Sequence, residues 1–167
     1  MDNNFLSLIN DHIYLDVKAN NSHDLFKIIA NILKIDTTSF VSDNFKKEII
    51  KSLMAREELG STGLGFGVAV PHGRINNLNR TLVSILKTSQ PIQFNAPDDK
   101  PVDLFIFILV PEHATQEHLN LLSKIATMLS DEEIREGIKS AQTKEDILQI
   151  IQIYESENLS TITSSPS

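Results

Sequence analysis

Gly60-Ser61-Thr62-Gly63-Leu64-Gly65-Phe66-Gly67-Val68-Ala69-Val70-Pro71-His72-Gly73-Arg74 reads as a glycine-rich loop feeding a short apolar strand that ends at Pro71, with a histidine set between Pro71 and Gly73. Glycine lets backbone come close to a ligand, and successive N–H groups can form an anion-binding concavity. Proline fixes its own φ and holds the preceding residue extended. The run is therefore a rigid mount for one imidazole beside an anion site. A neutral imidazole is a nucleophile towards phosphorus.

Working outward, residues 13–17 predict an edge strand. A helix follows with Ser22 as its N-cap and Leu25, Ile28, Ile29, Ile32 and Leu33 on one face, broken by Asp36 and Thr37-Thr38-Ser39. A second helix is predicted from Ser42 to Leu59, with Phe45, Ile49, Ile50, Leu53 and Met54 at helical spacing and Gly60 as its stop. Beyond the glycine run, residues 81–87 and 101–111 predict strands. The latter is almost wholly β-favouring and bounded by prolines, as a central buried strand would be. Asn95, Pro97 and Asp98-Asp99 mark a turn over 93–100.

Three more helices are expected. Thr115 caps the first, with Leu119, Leu122, Ile125, Ala126 and Leu129 buried; Ser130 and Glu133 form a capping box for a short one; Thr143 and Asp146 start the last, which carries Ile147, Leu148, Ile150 and Ile151. The Ser- and Thr-rich residues 156–167 are predicted to be disordered, leaving one domain over residues 1–155. Helices, then strands, then helices do not make a regular βαβ alternation. The expected class is α/β, with a mixed β-sheet flanked by helices on both sides.

Composition narrows the function classes. The chain has 167 residues, 41% of them hydrophobic, enough for one domain with a real core. A formal net charge of -7 argues against a general nucleic-acid binder. The absence of cysteine excludes disulfides, thiolate catalysis and zinc–sulfur sites. The first residues lack the basic and apolar regions of a signal peptide, and the longest apolar run, 104–110, is too short to cross a bilayer. A soluble cytoplasmic protein without membrane insertion is expected.

The glycines do not fit the dinucleotide fingerprint, because Val68 stands where its third glycine belongs, and no Gly-Lys-Ser/Thr follows for a phosphate loop. Taken alone, such a loop is either a plain turn or a ligand site. Among the histidines, His12, His23 and His113 read as surface or structural residues. His113 and His118 are five apart and share no helix face, so no metal pair is expected. His118 falls in the first turn of a helix just after the strand ending at Val110. If that strand neighbours the one ending at His72, both imidazoles share a cleft. Arg56 and Arg74 flank the loop, either to balance phosphate charge by bidentate contact or as solvated surface residues. Leu64 and Phe66 read as an apolar rim of the cleft, or as a buried part of the loop.

The stretches from Arg56 to Gly65 and from Val68 to Arg74 resemble the signature of the enzyme IIA components of the phosphoenolpyruvate-dependent sugar phosphotransferase system, in the fructose–mannitol class and its nitrogen-regulatory branch. Phe94-Asn95-Ala96, Pro101-Val102-Asp103-Leu104, Leu109-Val110-Pro111 and His118-Leu119-Asn120-Leu121-Leu122-Ser123 extend the resemblance to about residues 5–153. It implies a type-2 IIA domain in which His72 is phosphorylated by an HPr-type carrier protein, with no metal or cofactor. It implies that His118 is the second active-site histidine and Arg56 the arginine ahead of the loop. Gly63, Gly65 and Arg74 are the expected substrate-binding groups, Arg74 by the basic residue common after the Pro-His-Gly triplet in the nitrogen branch. Phe66 stands where family members often carry a polar residue. The implied roles are a regulatory phosphocarrier that switches contacts with target proteins, or a sugar-transport IIA that passes phosphate to a sugar-specific IIB.

Overall fold

The computed structural model describes residues 5–9, 12–33 and 42–164, with 159–164 as backbone alone. In chain order the elements are α1 (Phe5–Ile9), β1 (Ile13–Val17), α2 (Ser22–Ile32), α3 (Asp43–Glu58), β2 (Gly63–Gly65), β3 (Val68–Ala69), β4 (His72–Ile75), β5 (Leu82–Ile92), β6 (Val102–Pro111), α4 (Thr115–Ser130), α5 (Glu132–Ser140) and α6 (Lys144–Ser164). The strands form one mixed sheet in the order β1-β5-β6-β3-β2, with β4 also paired to β6. The class expected from sequence is the one observed.

β6 is the axis of the fold. Its side chains alternate between two cores, as the two-residue strand period requires. Phe105, Phe107 and Leu109 face α2 and α3, where they meet Leu25, Phe26, Ile29, Ile49 and Leu53. Leu104, Ile106, Ile108 and Val110 face α1, α4, α5 and α6, against Phe5, Ile9, Ile125, Ile138 and Ile147. Each fully buried side chain of this size contributes about 1.5–3 kcal/mol relative to exposure. Burial on both faces explains why the strand reads as an unbroken apolar run.

β3 and β4 are two pieces of one line along β6. Val68 pairs with Leu104, and His72 pairs with Ile108, in parallel and in the same register. Val70 and Pro71 lie between the pieces. The Val70 amide turns away to Thr62 O at 3.0 Å, and Pro71 has no amide hydrogen to give.

Several expectations need correction. The glycine run is not an open loop: β2 and β3 form an antiparallel hairpin, closed by a turn at Phe66 and Gly67 with φ of 58° and 79°. Two successive positive φ values match the twist of paired strands, which is why hairpins favour them. His72 opens a strand rather than following the end of one. α6 passes residue 155 and continues to Ser164, because no glycine or proline interrupts the sequence from Lys144 to Ser164. The tail expected to be disordered is thus helical as far as it is described. α1 has no counterpart in the sequence reading. Its five residues are too short for periodicity, and it is capped from afar by the Glu155 carboxylate, which accepts from Phe5 N at 3.0 Å and Leu6 N at 2.9 Å.

Smaller shifts concern helix ends and faces. Asn21 rather than Ser22 caps α2, and Asp131 rather than Ser130 caps α5. Ala114 rather than Thr115 precedes α4, whose buried face is Leu121, Ile125, Met128 and Leu129, leaving Leu119 exposed. α3 starts where expected, and Ser42 caps it, its side chain accepting from Phe45 N. The expected break at Asp36 to Ser39 lies outside the described residues.

Candidate active site

Three elements converge on His72. β4 carries it at its first position, beside the C-terminal half of β6. The chain then turns at once from β6 into α4, with Ala114 N bonded to Pro111 O at 3.0 Å, so His118 in the first turn of α4 arrives next to β4. The two imidazole rings lie 4.9 Å apart at 72°, edge to face. From the other side, α3 ends against β4. A Cβ on Gly73 would lie 2.4 Å from Ser52 Oγ and 3.3 Å from Ser52 Cβ, so a larger residue would force the Ser52 hydroxyl to move.

Both ring nitrogens of His72 are held. Nδ1 lies 2.8 Å from Val70 O, which can only accept. Arg56 Nε–H donates to Nε2 at 3.1 Å, and Arg56 Nη1 donates to Gly60 O at 2.8 Å. These partners require the proton on Nδ1 and a lone pair on Nε2. Burial holds the His72 pKa below the usual histidine value; the Arg56 guanidinium adds to this, and the Val70 carbonyl opposes it. His118 is pushed down to about 4, first by burial and then by His72, Arg74 and Arg56. Both rings are therefore neutral at neutral pH. His118 Nε2 is buried and has no hydrogen-bond partner among the described residues. Arg74 reaches the same place from β4, its Nη1 donating to Thr115 Oγ1 at 3.1 Å.

The structure thus gathers His72, His118, Arg56 and Arg74. Gly63 and Gly65 sit elsewhere, in the hairpin. A Cβ on Gly63 would lie 2.9 Å from Ala96 Cβ, and Gly65, at φ 87°, lies against the Asp98 carboxylate. Each glycine there has a packing or backbone cause. Leu64 and Phe66 are exposed, as a rim would be, but they face α5 rather than His72. The Phe66 ring lies 4.2 Å from the Arg135 guanidinium, and Lys139 Nζ donates to Phe66 O at 2.7 Å. The exposed large apolar residues adjacent in sequence to site residues are instead Leu59, just before Gly60, and Leu119, just after His118.

Sequence reading missed Glu57 and Thr62. The Glu57 carboxylate accepts from Thr62 N at 3.2 Å and from Thr62 Oγ1. Burial raises its pKa, against the lowering effect of those two bonds and of Arg56. The only clue in the sequence was a carboxylate next to Arg56 in a helical turn. No group of three or more His, Cys, Asp or Glu suited to a metal occurs among the described residues. Nor is any described helix long and apolar enough to cross a membrane.

The family model for the phosphoenolpyruvate-dependent sugar phosphotransferase system, EIIA 2, matches residues 7–153. The chain belongs to the EIIA 2 family. This EIIA chain is 38% identical over 137 residues to the nitrogen regulatory protein of Pseudomonas aeruginosa, covering 82% of this chain and 86% of that one. The crystal structure of the nitrogen regulatory protein IIA-Ntr from Neisseria meningitidis superposes with a TM-score of 0.77 at 37% identity, covering 87% of this chain and 97% of the other. The mannitol IIA enzyme of Escherichia coli, solved in complex with phosphorylated IIB, shares the fold at a TM-score of 0.67 and 19% identity, covering 84% and 94%. This EIIA chain therefore has a phosphotransferase-system IIA domain across most of its length.

Proposed function

We propose that this EIIA chain accepts a phosphoryl group on His72 Nε2 from the phosphohistidine of an HPr-type carrier in the cytoplasm, and that its phosphorylation state governs its contacts with regulatory target proteins. The observation that carries the reading is the pair of bonds on His72. Val70 O keeps the proton on Nδ1, so the lone pair sits on Nε2, the nitrogen that faces Arg56.

Phosphoryl transfer needs positioning and charge stabilisation more than covalent chemistry. Neutral His72 attacks phosphorus as the donor's N–P bond breaks, so one N–P bond replaces another. Positive charge growing on the ring is stabilised at Nδ1–H by Val70 O. Arg56 Nε–H leaves the lone pair and takes a phosphoryl oxygen while Nη1 stays on Gly60 O. His118 Nε2, buried and without a partner among the described residues, is placed to donate to a second oxygen, and Arg74 adds positive charge. Leu59 and Leu119 give the docking partner apolar surface beside the reacting atoms. Phosphorylation adds about -1.5 to -2 charge at the centre of this surface, enough to repel one partner and attract another.

A second reading rests on the mannitol relative, which was solved with phosphorylated IIB. In that role the same phosphohistidine passes its group to a sugar-specific IIB. The test is direct. Incubation with enzyme I, an HPr-type protein and phosphoenolpyruvate is expected to place one acid-labile phosphoryl group on His72, and His72→Ala is expected to abolish it. Full labelling of His72→Ala would defeat the proposal. Partner capture by the phosphorylated and free forms then separates the two roles: equal binding by both forms favours sugar transport.

A further inference from the structure

We propose that Glu57 is a positioning residue for this transfer, fixing through Thr62 and Val70 which nitrogen of His72 carries the lone pair. The inference rests on the phosphoryl-acceptor reading of His72. The last turn of α3 carries two consecutive residues, Arg56 and Glu57, and each leads to a different nitrogen of one imidazole. Arg56 reaches Nε2 directly at 3.1 Å. Glu57 reaches Nδ1 through a chain of three links.

In the first link, the Glu57 carboxylate takes both the amide and the hydroxyl of Thr62. Thr62 O then accepts Val70 N at 3.0 Å. Finally, Val70 O accepts from His72 Nδ1 at 2.8 Å. The middle link works because Val70 has little freedom left. Its amide is fixed by Thr62, and the following Pro71 confines it to extended geometry, so the direction of its carbonyl is set. A carbonyl at Nδ1 admits only the Nδ1–H tautomer. Thr62 itself lies outside regular structure, between α3 and β2. Glu57 holds both the amide and the hydroxyl of Thr62, so its loss frees them together and the segment that orients Val70 loosens. A mere staple at the end of α3 would affect stability but leave the ring of His72 unchanged, so the two roles separate by measurement.

The experiment combines 15N NMR of the His72 ring with phosphorylation by phosphoramidate, a small donor that needs no partner protein. Wild type is expected to show Nδ1–H, with Nε2 unprotonated, and to take phosphate on Nε2. Glu57→Ala is expected to give a mixture of tautomers and a phosphorylation rate lower by about 10-fold or more, the usual scale for losing a group that orients an imidazole. Glu57→Gln keeps an acceptor for the Thr62 amide and a donor for its hydroxyl, and is expected to restore both readouts close to wild type. Thr62→Val removes the hydroxyl alone and carries the test if Glu57→Ala unfolds, with the same direction expected. A folded Glu57→Ala or Thr62→Val with the wild-type ring spectrum and rate would overturn the proposal. So would a Gln variant as impaired as Ala, which would point to charge rather than geometry. If wild type takes no phosphate from any donor, the acceptor reading fails, whereas the tautomer measurement still decides the role of Glu57.

Discussion

The hairpin tip and the His72 end of the same ribbon of chain solve opposite problems. At the tip, Phe66 N is bound by Asp98 at 2.9 Å, Phe66 O by Lys139 at 2.7 Å, and the phenyl ring by Arg135. Both backbone polar groups of Phe66 are bonded, and its apolar ring faces solvent. At the other end the imidazoles are half-buried, one nucleophilic nitrogen is covered by a side chain that can move, and His118 Nε2 is buried with no partner among the described residues. Buried polar groups are nearly always satisfied, and an orphan demands a reason. In this molecule the satisfied end behaves as scaffold, and the unsatisfied end is where an incoming anion would be bound.

The sharpest way to break that contrast is His118→Ala. The variant is expected to fold and to retain His72, yet to transfer phosphate more slowly by the equivalent of about 2.7–4 kcal/mol in barrier, as for loss of one positioned donor. Stopped-flow transfer from the carrier checks it; an unchanged rate in a folded variant removes His118 from the site. Gly63→Ala probes the scaffold end. The new methyl group would meet Ala96 Cβ at 2.9 Å, and overpacking of this kind costs about 1–3 kcal/mol. Denaturant unfolding should show that loss, whereas the folded fraction should transfer phosphate at the wild-type rate. A rate defect without a stability defect would make Gly63 a binding residue instead of a packing one.

The smallest expected effect is a pH slope. His118 is held at about 4 in the fold, against about 6.5 in an unfolded chain. A base with a depressed folded pKa binds fewer protons than the unfolded chain in that window, so stability rises with pH there. The contribution is fully present above about 6.5, and it is lost as pH falls towards 4. His72, also held low, acts in the same direction. Melting temperature should therefore fall more steeply between these limits in wild type than in His118→Gln. Parallel slopes would mean that His118 protonates as freely in the fold as outside it.

Much of this was legible in the sequence, for reasons that differ by element. β6 was plain because nine of its ten residues are buried, and those from Leu104 on leave a continuous apolar signal. α3 was plain because Ser42 caps it and its inward positions repeat at helical spacing. His72, His118 and Arg56 were legible through the Pro-His-Gly setting and its resemblance to a family. The hairpin was not, since glycines announce freedom without saying how it is used, and the strands they separate have only three and two residues. Leu119 was assigned inward because a leucine beside a periodic face is ambiguous by one position. Glu57 escaped because its role lies in a partner five residues on, across a helix end where no periodicity holds. α1 escaped because its cap comes from Glu155, a contact no local pattern contains.

The guanidinium resting on His72 Nε2 gives the site a chemical filter. A nucleophile covered by a cationic donor is dull towards uncharged electrophiles, which offer that cation nothing in exchange. In the proposed transfer, an anionic donor would offer it oxygens, draw it off the nitrogen, and so uncover the lone pair as phosphorus arrives. With Nη1 bonded to the Gly60 carbonyl, the proposed exchange would be a short swing about one anchored point instead of the capture of a free side chain.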